Sequence, residues 1–146
     1  MARRMQESHI EQTRDREDDH MEEALPLLIV ESYQDMRTLL QHFFARQRVA
    51  VQTVPSVAVA IAYLAQRLVQ VVLTDLFLPD EAGIALVRHV QTTAPHTRVI
   101  VMGAFSAPGT QQQAMAAGAY TFLEKPFPLA RLGAEVQRAL QDNRGQ

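Results

Sequence analysis

From Leu25 onward, short apolar runs alternate strictly with longer segments of helical spacing, and this restricts the chain more than any other feature. Leu27 to Val30 is continuously apolar, as expected of a strand covered on both faces. Gln34 to Arg46 follows, with Met36, Leu39, Leu40, Phe43 and Phe44 spaced to share one face of a helix. Val49 to Val54 reads as a second strand, and Pro55-Ser56 signals a helix over Val57 to Arg67. Val71-Val72-Leu73, running into Thr74-Asp75, gives a third strand. A loop from Leu76 to Glu81 leads to a helix ending near Gln91. The remaining expectations are a strand at Val99 to Met102, a helix at Pro108 to Ala117, a strand at Ala119 to Leu123 and a helix from Pro128 to Asp142.

Five such βα units in about 120 residues imply a parallel sheet with helices on both faces, because right-handed crossovers place them there. The predicted fold is α/β, a three-layer doubly wound (βα)5 arrangement of flavodoxin-like strand order 2-1-3-4-5. In such sheets the functional site lies at the carboxyl ends of the strands, beside the reversal of order. A length of 146 residues suits one domain with a substantial core. The expected division is a charged tail over 1–24, a domain over 25–142 and a short tail over 143–146. The first 24 residues carry a net charge of −4 and the remainder +2, with no basic stripe for nucleic acid. Cysteine is absent, which excludes disulfides and thiolate chemistry. No apolar run reaches the roughly 20 residues of a membrane span, and no signal peptide is visible. A cytoplasmic location follows as an expectation. The five histidines are scattered, so no metal site is expected among them.

At the four strand ends beside the reversal stand Glu31-Ser32, Asp75, Gly103-Ala104 and Glu124-Lys125-Pro126-Phe127. The topology therefore converges two acids, Glu31 and Asp75, with Lys125, the single lysine beside 13 arginines. No Gly-rich turn follows the first strand and no Gly-x-Ser-x-Gly elbow is present, so nucleotide-binding and serine-hydrolase readings fail.

The stretch Leu73-Thr74-Asp75-Leu76-Phe77-Leu78-Pro79-Asp80-Glu81-Ala82-Gly83 resembles the phospho-acceptor segment of response regulator receiver domains. That segment has an aspartate ending strand three, a proline four residues on and a glycine eight residues on. Val30-Glu31 with Asp35-Met36-Arg37, and Phe122 with Lys125-Pro126-Phe127, resemble the family's opening and its strand-five ending. The resemblance implies Asp75 as phospho-acceptor and Lys125 as the phosphoryl contact. It implies Mg2+ held by Glu31, Asp75 and the backbone carbonyl of Phe77, and a switch at position 103 and Phe122. Two positions depart from the family. Ser32 stands where a second acid ligates the metal, so Mg2+ should be weakly held. Gly103 stands where a Ser or Thr hydroxyl bonds the phosphoryl group.

The expected function is that of a stand-alone response regulator, not an enzyme. Its partners would be a histidine kinase or phosphotransfer protein and a downstream target, with a homodimer through the helix 4–strand 5–helix 5 face and no contact with nucleic acid or membrane. The alternative is a pseudo-receiver that binds its partner without phosphorylation, which Ser32 and Gly103 favour.

Overall fold

The computed structural model describes residues 24–104 and 109–144. The tail expected over 1–24 lies, apart from Ala24, outside them, as does the expected helix start at Pro108. Ten elements alternate along the chain: β1 (Leu25–Val30), α1 (Gln34–Arg46), β2 (Val51–Val54), α2 (Val57–Gln66), β3 (Val69–Asp75), α3 (Gly83–Thr93), β4 (Arg98–Ala104), α4 (Thr110–Ala117), β5 (Thr121–Lys125) and α5 (Leu129–Arg144). The strands form one parallel sheet of order β2-β1-β3-β4-β5. The fold is the doubly wound one that the alternation predicts.

Each sheet face buries its own core. Leu28, Val30, Val72 and Val101 point toward α2, α3 and α4, where Val57, Ala60, Leu86, Val87, Val90 and Ala114 meet them. Leu27, Ile29, Val71, Leu73, Ile100 and Leu123 point the other way, toward Leu40 and Phe44 of α1 and Leu132 and Val136 of α5. This two-sided burial is why the central strands read as continuous apolar runs rather than alternating ones.

Element boundaries shift for identifiable reasons. β1 begins at Leu25 rather than Leu27 and contains Pro26, tolerated because pairing with β2 starts only at Leu27↔Val51. β2 starts at Val51, not Val49, because the Val49 amide still donates to Phe44 at the end of α1 (3.0 Å). β3 begins at Val69 and includes Gln70, a buried polar residue whose carbonyl accepts from Asn143 Nδ2 at 2.8 Å. β5 runs from Thr121 to Lys125 rather than from Ala119 to Leu123. Gly118, at φ 114°, ends α4; Ala119 N then donates back to Ala114 O, and only Tyr120 N reaches Val99 O in the sheet. α1 keeps its bounds, but Leu40 and Phe44 alone are fully buried, while Met36 and Leu39 are 40% and 48% exposed. Phe43 is half-buried over Gly133 of α5, where a Cβ would lie 3.1 Å from its ring.

Candidate functional site

The carboxyl ends of β1, β3, β4 and β5 enclose an open cavity of about 350 Å³, with Asp75, Gly103 and Lys125 in its lining and Ser32, Tyr33 and Phe77 at its sides. Asp75 closes β3 and is 7% exposed. Lys125, the last residue of β5, places Nζ 2.7 Å from Asp75 Oδ1, its own side chain 43% exposed. The geometry is that of a buried carboxylate met by a cation reaching in from solvent. Removing the lysine would leave that carboxylate without its counter-charge, the costlier half of such a pair to lose.

Glu31 follows β1 and is 1% exposed. Burial first, and then a hydrogen bond shared with Asp75, raise its pKa from 4.5 to about 7. The Tyr33 amide donates to Glu31 Oε1 at 3.1 Å and acts in the opposite direction. Near neutral pH this carboxyl therefore spends much of its time protonated and adds less than a full negative charge to the site. The turn that carries it is pinned by Arg37, whose Nη1 donates to the carbonyls of both Glu31 and Ser32 at 2.9 Å. Ser32 is half-buried beside the cavity and brings no charge.

The loop after β3 is tightly built. The Leu76 amide donates to Met102 O, and Gly83 N to Leu76 O, each at 2.7 Å, while Phe77 forms an isolated bridge with Ala82. A Cβ at position 83 would stand 2.2 Å from the Asp75 carbonyl oxygen, so only glycine lets α3 start this close to the acceptor. Phe77 turns its ring outward, 68% exposed. At β4 the missing side chain of Gly103 leaves a notch that Phe122 fills. A Cβ there would lie 2.9 Å from Phe122 Cζ and 3.1 Å from Leu76 Cβ and Cδ2.

The structure thus brings together Glu31, Asp75 and Lys125, lines the same cavity with Ser32 and Gly103, and sets Phe122 against Gly103. Two residues that the sequence does not single out for a role belong to the same neighbourhood. Arg37 holds the β1–α1 turn. Asp80 accepts from the amides of Val57 and Ala58 at 3.2 and 2.9 Å. No spacing rule could announce Asp80, because its partners lie 22 and 23 residues away.

Mg2+ takes hard oxygen ligands, one or two carboxylates with carbonyls and water. Asp75, Glu31 and the Phe77 carbonyl are donors of that kind. They make a lean set, since Lys125 already engages Asp75 and burial makes Glu31 hold its proton more tightly than a free carboxyl. Among the described residues no group of three His, Cys, Asp or Glu side chains is arranged to hold a metal ion, and no helix is long and apolar enough to cross a membrane.

Residues 27–137 match the family model described as the response regulator receiver domain. The response regulator protein PilR of Pseudomonas aeruginosa is 37% identical over 114 residues, 78% of this chain and 26% of that protein. The DNA-binding transcriptional regulator NtrC of Azospirillum brasilense is 32% identical over 120 residues, 82% and 25% of the two chains. The chain therefore spans about a quarter of the length of these curated relatives. The solved receiver domain of NtrX from Brucella abortus superimposes with a TM-score of 0.73 at 27% identity, covering 79% of this chain and 98% of that one. The beryllofluoride-activated NtrC4 receiver domain dimer shares the fold at a TM-score of 0.75 and 23% identity, covering 80% and 97%. Sequence, topology and site geometry agree: the chain belongs to the response regulator receiver domain family of two-component systems.

Proposed function

We propose that this chain relays signals in a two-component phosphorelay, with Asp75 as phospho-acceptor and output through protein contact rather than catalysis. The observation that carries the reading is the 2.7 Å approach of Lys125 Nζ to a buried aspartate at the strand ends, with Glu31 beside it. An Asp75 oxygen forms the new P–O bond while the P–N bond to a donor imidazole breaks, and the released imidazole takes up a proton from solvent. Lys125 exchanges its contact with Asp75 for one with the incoming phosphoryl oxygens. Mg2+ bound at Asp75, Glu31 and the Phe77 carbonyl would offset the repulsion between an acidic site and a phosphoryl dianion. The matching partners are a histidine kinase or phosphotransfer protein on the input side. A target protein, or a second copy of the chain, would engage the α4–β5–α5 face on the output side. The curated relatives include proteins named as DNA-binding regulators; in this chain the absence of a basic stripe supports a receiver portion that leaves nucleic acid alone. A cytoplasmic setting belongs to the same reading, as the side on which a histidine kinase would hand over its phosphoryl group.

The test is incubation with Mg2+ and acetyl phosphate, read by intact mass. A single phosphoryl adduct is expected on the wild type and none on Asp75→Asn. An unmodified wild type under conditions that label another receiver domain would overturn the reading.

A second reading, in which the output face is presented without phosphorylation, is favoured by one observation. Phe122 Cζ lies 2.9 Å from where a residue-103 Cβ would stand, so the ring crowds any side chain at the end of β4. Target binding that is equal for wild type and Asp75→Asn, with and without acetyl phosphate, would select it.

A further inference from the structure

The loop between β3 and α3 is held by different means at its base and at its tip. The base is fixed by the Leu76 and Gly83 amides and the Phe77↔Ala82 bridge, and Leu78 N closes the turn on Glu81 O at 3.2 Å. The tip, Pro79 to Glu81, is exposed. Asp80 ties it to a separate element, its Oδ2 accepting from Ala58 N at 2.9 Å and its Oδ1 from Val57 N at 3.2 Å.

Those amides open α2, which has no charged residue between Val57 and Gln66 and no acid in its first turn. Its own cap, Ser56 Oγ, accepts only from Val59 N, at 3.2 Å. The first amides of a helix have no intrahelical partner, and the positive end of the helix dipole favours an anion there. α2 obtains that anion from the acceptor loop. The two amide bonds keep the Asp80 carboxyl below its usual pKa, so it is ionised at neutral pH.

The same loop supplies Phe77, Leu78 and Pro79 to the lining of the Asp75 cavity. We propose that Asp80 is a positioning residue of the Asp75 site: by latching the loop tip to the start of α2 it fixes the Phe77–Pro79 wall past which a phosphodonor must approach. It also steadies the segment that carries the Phe77 carbonyl. The consequence for phosphoryl transfer rests on the phosphorelay reading of Asp75; the latch itself does not.

The experiment compares Asp80→Ala, Asp80→Asn and Ser56→Ala in the full chain. Ser56→Ala removes a cap from the same helix without touching the loop, so it separates a latch from an ordinary helix cap. All three variants should lower the melting temperature. Exchange of the Leu78 amide should be about tenfold faster in Asp80→Ala, intermediate in Asp80→Asn and unchanged in Ser56→Ala, as expected when one charged cap anchors a loop. Phosphoryl uptake from acetyl phosphate should fall about fivefold in Asp80→Ala alone, the kinetic equivalent of losing one such anchor. Equal Leu78 exchange in Asp80→Ala and Ser56→Ala would overturn the proposal and leave Asp80 a helix cap. So would faster Leu78 exchange without any change in uptake by a phosphorylatable wild type. A wild type that takes no phosphoryl group sinks the phosphorelay reading instead, while Leu78 exchange still decides whether the loop is latched.

Discussion

At position 103 the missing side chain is a matter of space, not of backbone angle. Gly103 is not among the residues with positive φ, so an L side chain can adopt its backbone conformation. What it would meet is Phe122 Cζ at 2.9 Å and the Leu76 side chain at 3.1 Å. Gly103→Thr, the simplest way to restore a hydroxyl beside Asp75, should therefore overpack the site and cost about 1–3 kcal/mol. Phe122→Leu shortens the group that fills the notch, and in the double variant it should recover part of that loss. Two residues in contact are expected to be non-additive, with an interaction energy of about 0.5–3 kcal/mol. Denaturant melts of the two single variants and the double variant measure it. Strict additivity would show that ring and notch are independent, and that the contact between them has no energetic meaning.

At the scale of elements, the loop that bears the acceptor and the start of α2 share one carboxylate, and pH reports on the sharing. Asp80 has a folded-state pKa below the ordinary value of 3.8, chiefly through its bond from Ala58 N. The folded state thus holds this proton less tightly than the unfolded one. The stabilisation is present above the unfolded pKa and is lost as pH falls through the folded value. Asp80→Asn cannot titrate, so wild type should exceed it in melting temperature by a constant gap at neutral pH, closing below about pH 3.8. Thermal melts of both proteins across the acid range test this, and a gap that persists at the lowest pH would place the stabilisation elsewhere. Elements also set what the sequence could announce. Every strand and helix was legible: two-faced burial writes the central strands β1, β3 and β4 as apolar runs, one-faced burial writes helices at helical spacing, and the alternation between them places the edge strands β2 and β5. Their ends were less so: Val49 and Ala119 are apolar, yet their amides remain bonded to the helix before them. Glu31, Asp75 and Lys125 were legible as a site because the topology dictates where strands end. Arg37 and Asp80 were not, because their work is hydrogen bonding to backbone carbonyls and amides, which leaves no trace in residue spacing.

Across the whole molecule, the question is how far an event at Asp75 travels. A ligand shifts a two-state equilibrium only by the difference in its interaction with the two states. In this family the difference is expected to pass through a hydroxyl at the end of β4 to the aromatic on β5. Here Gly103 offers no hydroxyl, and Phe122 Cζ lies 2.9 Å from where a residue-103 Cβ would stand. A phosphoryl group on Asp75 would therefore lack one hydrogen bond to a charged group, worth about 1.5–3 kcal/mol. That is comparable to a typical allosteric coupling of about 1–3 kcal/mol. Beryllofluoride added with Mg2+ should accordingly perturb the amides around Glu31, Asp75 and Lys125, while α4 and the Phe122 region of β5 keep their resonances. Amide spectra with and without beryllofluoride read this residue by residue. Shifts confined to the cavity would favour the second reading, in which the α4–β5–α5 face is presented in one state whether or not Asp75 is phosphorylated. Large shifts reaching Phe122 and α4 in the unmodified protein would instead show a working switch coupled by another route. Lys125 would be the first to examine, because it closes β5 two residues beyond Leu123 and already touches the acceptor.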